Sequence, residues 1–265
     1  MLHHHSSLLP RLLDLDSQIH APILAEAMAI VAELAGPVAK VRRVLDIGSG
    51  TGTATITLTR LFPAAEIVAV DINETMLATV RDRAREAGLA HRVVATRADI
   101  AGTTQLEPVD VAWAAASLHE VSDPNQAFRN IFAALRPGGS LFVMEMDAPP
   151  MVLPARFAAL ESRVRAAAGG PAAHPLDWVP AISAAGFTLE RIERLRADSM
   201  FTAEGVGGEF ALLELRRLAA AVLPRLNDYD RAALAALSSG GTGSVRELGE
   251  VWIRGSRTLW AATRP

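Results

Sequence analysis

Apolar positions along this chain follow two periods, and the change between them marks its elements. Before residue 35, Ile19, Ile23, Leu24, Ala27, Met28, Val31 and Leu34 fall roughly on one helical face. They predict a helix over 8–34, with Pro22 in a first turn and Gly36-Pro37 as the stop. Short apolar runs bounded by turn residues then take over. The runs at 43–47, 66–70, 92–96, 109–115 and 140–146 predict buried strands, and 53–62, 74–87 and 125–135 predict the helices between them. Pro137-Gly138-Gly139 predicts the turn into the strand at 140. Strands alternating with helices give an α/β fold on a parallel sheet with right-handed crossovers.

After Met146 the alternation breaks. Pro149, Pro150 and Pro154 lead into a predicted helix at 156–168, which Gly169, Gly170 and Pro171 close. A helix at 178–185, a strand at 187–195, helices at 204–223 and 228–237 and a last strand at 257–263 complete the pattern. No internal repeat interrupts it. The expected organisation is one domain over 1–265: an N-terminal helical cap at 1–40, a core at 41–147, and lid helices with C-terminal strands at 148–265.

Composition narrows the function classes. The chain has 265 residues, 50% hydrophobic and 21% charged, enough for a substantial core without staples. Its formal net charge is −3, Lys40 is its single lysine and no basic block stands out, so no nucleic-acid footprint is expected. It contains no cysteine, which excludes disulfides, a cysteine nucleophile and thiolate metal sites. No grouping of acids and histidines has metal-ligand spacing, so no metal is expected. No uncharged apolar run is long enough to span a bilayer, and residues 1–7 lack the pattern of a signal peptide, so the expected location is the cytoplasm, away from membranes. His3, His4 and His5, either a tag remnant or a native tail, are set aside.

The chemistry concentrates where the first strand, Val44-Leu45-Asp46-Ile47, runs into Gly48-Ser49-Gly50-Thr51-Gly52 and then a helix. Glycines there permit a tight bend and close backbone approach to a ligand, and the helix start offers unpaired amides. A dinucleotide fingerprint needs G-x-G-x-x-G, but here the spacing is G-x-G-x-G and Thr53 stands where the third glycine belongs. Asp46 would also add negative charge beside a pyrophosphate.

The segment Asp46–Gly52 resembles the first motif of class I S-adenosylmethionine-dependent methyltransferases of the small-molecule type. Val68-Ala69-Val70-Asp71, Ala98-Asp99-Ile100, Val109-Asp110-Val111-Ala112-Trp113-Ala114 and Leu135-Arg136-Pro137-Gly138-Gly139-Ser140-Leu141 resemble its later motifs, in order, over residues 40–147. The resemblance implies a Rossmann-like fold with a mostly parallel seven-stranded sheet, helices on both faces and added lid helices. It implies S-adenosylmethionine as cofactor and a small-molecule acceptor, with a homodimer as one form of assembly. Asp46, Gly48, Ser49, Gly50, Thr51 and Gly52 would then meet the amino-acid end and ribose of the cofactor. Asp71 would accept from both ribose hydroxyls, Ile72 and Met76 would pack on adenine, Asp99 and Ile100 would bond its edge, and Ala115 would lie near the methionyl part. Asp71 can alternatively begin a helix and Asp99 a turn.

No catalytic residue is obligatory, because the methyl donor is already activated. His119, in Ser117-Leu118-His119-Glu120-Val121 after the fourth strand, is either a general base or a ring that fixes its loop. Glu120 and Asp123 are expected to be solvated or capping, and Glu145 and Asp147, at the end of the fifth strand, to be solvated, with a polar or cationic acceptor as their alternative partner. Gln18 and His20, before the first strand, either touch the cofactor carboxylate or the acceptor or serve capping and packing, and Arg156, Phe157, Arg163, His174, Trp178, Phe210 and Leu213 are candidates for an acceptor lid. The competing classes are a nicotinamide-dependent oxidoreductase and a catalytically silent cofactor-binding partner protein.

Overall fold

The computed structural model describes residues 9–103, 106–169 and 177–265, so His3, His4, His5, Gly170, Pro171 and His174 lie outside the described residues. The helices are α1 (Leu9–Ile19), α2 (Ala21–Leu34), α3 (Thr53–Leu61), α4 (Glu74–Glu86), α5 (Pro124–Ala134), α6 (Ala158–Ala167), α7 (Val179–Ala184), α8 (Val206–Val222) and α9 (Asp228–Leu237). The strands are β1 (Arg43–Ile47), β2 (Glu66–Asp71), β3 (Val93–Arg97), β4 (Val109–Ala115), β5 (Leu135–Met146), β6 (Thr188–Thr202) and β7 (Glu250–Thr263). The single helix expected over 8–34 is two helices that part at His20. Pro22 has no N–H to continue a ladder and its ring crowds the carbonyl four residues back, so a new helix starts at Ala21. Among the described residues no helix is long and apolar enough to cross a membrane.

The chain splits into two compact units interleaved in sequence, 24–145 with 176–195 and 257–265, and 1–23 with 146–175 and 196–256. The physical reason is that the buried apolar residues gather in two separate clusters.

The first-named unit holds the seven-stranded sheet, in the order β3-β2-β1-β4-β5-β7-β6. The β1/β2, β1/β4, β2/β3 and β4/β5 pairs are parallel. The β5/β7 pair is antiparallel: Gly138 N–H donates to the Arg264 carbonyl (2.7 Å), and Arg264 N–H donates to the Gly139 carbonyl (2.9 Å). These bonds draw Pro137-Gly138-Gly139 into β5, which begins at Leu135 rather than after the expected turn. Strands β6 and β7 exceed their expected lengths because each runs on through residues counted with the other unit. Leu45, Ile47, Val70, Ala112, Phe128, Ile131 and Val143 anchor the core. Fully burying a Leu, Ile or Phe side chain contributes roughly 1.5–3 kcal/mol, so this cluster holds the sheet edge that carries the site.

The other unit is helical. Its cluster of Leu15, Val152, Val164, Phe210, Leu215, Leu218, Val222 and Leu234 joins α1, α6 and α9 to α8. Glu161, 1% exposed, accepts the Val152 and Leu153 N–H groups and pairs with Arg165 (2.9 Å).

Candidate functional site

The register of the parallel strands lines up their carboxyl ends. Ile47 is opposite Val70 on one side and Ala114 on the other, and Ala115 is opposite Met144. Asp46, Asp71, Ala115 and Glu145 therefore arrive at one edge of the sheet, where open α/β folds place their ligand crevice.

The loop after β1 is folded for close approach. Gly48, Gly50 and Gly52 have φ of 64°, 51° and 88°, a region that side chains disfavour. A Cβ at Gly48 would stand 2.3 Å from the Ser117 Cβ, so glycine is needed there on space as well as angle. The Gly48 and Ser49 N–H groups donate to the Val70 carbonyl (2.8 and 3.0 Å), and the Ser117 hydroxyl donates to the Ile47 carbonyl (2.9 Å). Thr51 accepts from Arg83 on α4 (3.3 Å), and Gly52 starts α3 without a side-chain cap.

Asp71 closes the loop from the β2 side. Its Oδ2 accepts the Gly50 N–H (3.0 Å) and its Oδ1 the Asn73 N–H (2.8 Å). The helix cap that Asp71 could have been is Asn73, which accepts the Thr75 N–H. Ile72 next to it is 67% exposed, an apolar side chain left open beside a carboxylate, whereas Met76 and Ile100 are buried. Asp99 is exposed and accepts the Ala101 N–H (2.9 Å), a turn bond.

These residues fit S-adenosylmethionine on one structural observation. The Ser49 hydroxyl is buried in the loop without a hydrogen-bond partner among the described residues, an orphan that a polar ligand atom would satisfy.

Asp46 lies beneath the loop, 1% exposed, and accepts the Thr55 hydroxyl (2.5 Å). Burial pushes its carboxyl up from 3.8 to about 7, the Thr55 bond opposes this, and the Asp71 charge adds to it. The folded chain therefore holds this proton more tightly than the unfolded chain. The contribution of Asp46 to stability falls as pH rises from the ordinary carboxyl range through about 7, then levels off. Thermal melts of Asp46→Asn and wild type at successive pH values should show a Tm difference that moves in favour of the variant as pH rises from 5 to 8, because Asn keeps an acceptor for Thr55 and cannot ionise. A constant difference would show that Asp46 stays ionised.

At the end of β4, Ala116 takes φ 49°, the one non-glycine in that region among the described residues, and turns the chain into a short helical turn at Leu118–Glu120. Glu145 fixes this turn and is not solvated as expected: it is 1% exposed, because its carboxylate is the partner of groups on β4's exit. Its Oε1 accepts the Ser117 and Leu118 N–H groups (3.1 and 2.9 Å), and its Oε2 meets His119 Nδ1 at 2.8 Å. The hydrogen bond to Glu145 holds the His119 imidazole above its ordinary 6.5, burial opposes it, and Glu120 adds to the rise. The His119 side chain remains 29% exposed. Asp123 caps α5 by accepting the Gln126 N–H, as expected.

The lid candidates separate. Arg163 is spent on Asp230 (2.7 Å) and Phe210 is core. Arg156 donates to the Leu248 carbonyl and lies over the Phe157 ring. Trp178 belongs to the sheet unit, buried against Phe128. His20 is buried and paired with Asp16 (2.9 Å), while Gln18 is exposed. The residue that sequence reading undervalued is Glu145. Its position at the end of the strand beside β4 was the available signal.

Comparison with known proteins agrees with the geometry. Residues 44–139 match the family model described as a methyltransferase domain. Trans-aconitate 2-methyltransferase of Variovorax paradoxus is 37% identical over 111 residues, 42% of this chain and 41% of that protein. The ubiquinone/menaquinone biosynthesis C-methyltransferase UbiE of Saccharophagus degradans is 36% identical over 117 residues, 42% of this chain and 45% of that protein. The chain thus spans less than half the length of the curated relatives it matches. The structure of a geranyl diphosphate methyltransferase in complex with SAM superposes with a TM-score of 0.55 at 18% identity, covering 100% of this chain and 93% of that one. Residues 44–139 thus match a methyltransferase domain, and the fold is that of the solved methyltransferase structure.

Proposed function

We propose that the protein transfers a methyl group from S-adenosylmethionine to a small-molecule acceptor, a secondary-metabolite scaffold, with His119 as general base. The observation that carries this reading is the meeting of the left-handed glycine loop, Asp71 and the His119 imidazole at one sheet edge. Relatives named for trans-aconitate and for ubiquinone and menaquinone support a small acceptor over a macromolecular one.

When bound, the cofactor supplies a methyl group activated on a sulfonium, whose sulfur keeps the S–C electron pair as the acceptor's lone pair makes the new bond. The chain's own task is to bind, align and take up a proton. Gly48, Ser49, Gly50, Thr51 and Gly52 would bring the Ser49 hydroxyl and a tightly turned backbone up to the amino-acid end and ribose, with Asp46 supporting the loop through Thr55. Asp71 accepts the ribose hydroxyls through lone pairs that its two backbone bonds leave over. Ile72 and Met76 hold the adenine face, Asp99 and the Ile100 backbone its edge, and Ala115 leaves space near the methionyl part. His119 takes the proton of an acceptor hydroxyl or comparable group, and it must first be neutral to do so.

Calorimetry with S-adenosylhomocysteine and NAD tests the reading. Binding of the first without the second is expected. Affinity for NAD with none for S-adenosylhomocysteine would sink it in favour of an oxidoreductase.

A further inference from the structure

We propose that Glu145 is a positioning residue: it keeps a proton on His119 Nδ1 and so makes Nε2 the nitrogen that takes the acceptor's proton. The inference rests on the reading of His119 as the base and adds the group that aims it.

The geometry favours one tautomer of the neutral ring. Glu145 sits at the end of β5, 1% exposed, and both backbone donors of the turn, Ser117 and Leu118 N–H, go to Oε1. This anchors the carboxylate and directs Oε2 at His119 Nδ1, 2.8 Å away. An ionised carboxylate only accepts, so Nδ1 carries the hydrogen and the lone pair of a neutral ring is on Nε2. Among the described residues Nε2 meets Glu120 Oε1 at 3.4 Å, and that side chain is 71% exposed. Such a long contact with a solvated partner is easily exchanged for an acceptor hydroxyl. Glu145 from β5 and Glu120 from the ring's own turn are the charged groups that act on this imidazole. A purely structural Glu145 would need only its two backbone bonds; facing the ring with its second oxygen is the additional feature.

Glu145→Gln separates the two roles. The amide oxygen can still accept Ser117 and Leu118 N–H, which preserves the turn. The amide NH2 then faces Nδ1 as a donor, which forces the ring proton onto Nε2 and leaves no lone pair there. The measurement is the ring 15N shifts of His119 in 15N-histidine-labelled protein across pH, assigned against His119→Ala. In wild type the neutral ring should be the Nδ1–H form. In Glu145→Gln it should be the Nε2–H form, with its titration midpoint lower by about one unit or more through loss of the adjacent charge. A neutral wild-type ring in the Nε2–H form would overturn the proposal whether or not the variant folds. So would a variant with unchanged tautomer and midpoint.

Failure of the underlying reading looks different. If His119 is not the base, the wild-type ring can be in the Nδ1–H form while His119→Ala keeps its pH–rate profile. If only the positioning role is wrong, His119→Ala is impaired while the tautomer is wrong.

Discussion

Asp71→Ala should weaken binding of S-adenosylhomocysteine by about 10²–10⁴-fold, since two hydrogen bonds to a charged acceptor are worth roughly 1.5–3 kcal/mol each. The carboxylate has a double duty that makes the loss large. Each of its oxygens already accepts one backbone N–H, from Gly50 at 3.0 Å and Asn73 at 2.8 Å, and each keeps a lone pair for a ribose hydroxyl. Alanine would remove both acceptors proposed for the ribose and also release the Gly50 N–H from the end of β2. Asp71→Asn keeps one acceptor oxygen and should fall between. Asp99→Ala should cost less, because Asp99 is exposed and one of its oxygens is committed to the Ala101 N–H. Titration calorimetry on the three variants gives the order directly. An Asp71→Ala protein that binds like wild type would remove Asp71 from the site, and melting of the unliganded variants separates lost contacts from a lost fold.

What the sequence made legible was local. The strands 43–47 and 109–115 are where their apolar runs put them, because each run is short, bounded by turn residues and buried on both faces. The glycine loop was legible for the same reason: its spacing states a backbone requirement, and Gly48 at φ 64° against Ser117 is that requirement realised. Partners distant in sequence were not legible. Glu145 reads as a polar strand end until the β4/β5 register brings it to Ser117, Leu118 and His119. Arg163 looks available for an acceptor until Asp230 arrives from another helix. The two-unit organisation was hidden because apolar residues of both clusters alternate along the chain, and only packing sorts Trp178 into one and Phe210 into the other. Pro22 marks the first turn of α2, and the same ring, lacking an N–H and crowding the preceding turn, accounts for the break at His20 that the apolar periodicity does not show.

His119→Ala should lower turnover by about 10²–10⁴-fold, the usual worth of a general base, with little change in affinity for S-adenosylhomocysteine. The contacts assigned to the adenosine lie at β2 and the loop after β1, so removal of a ring at the exit of β4 leaves them in place. The pH dependence distinguishes a base from a strut. Because Glu145 holds the imidazole above its ordinary 6.5, wild-type turnover should rise with pH through a midpoint above that value as the ring sheds its proton. Stability should run the opposite way. The raised ring contributes stability in full below the ordinary value and loses it as pH rises through the raised one, so the variant's deficit in Tm should be largest on the acid side. If His119 only braces its turn, the variant should lose stability or acceptor affinity while the rising limb of turnover persists. Unchanged turnover at every pH would take His119 off the catalytic list and leave alignment at the sheet edge as the chain's whole contribution to methyl transfer.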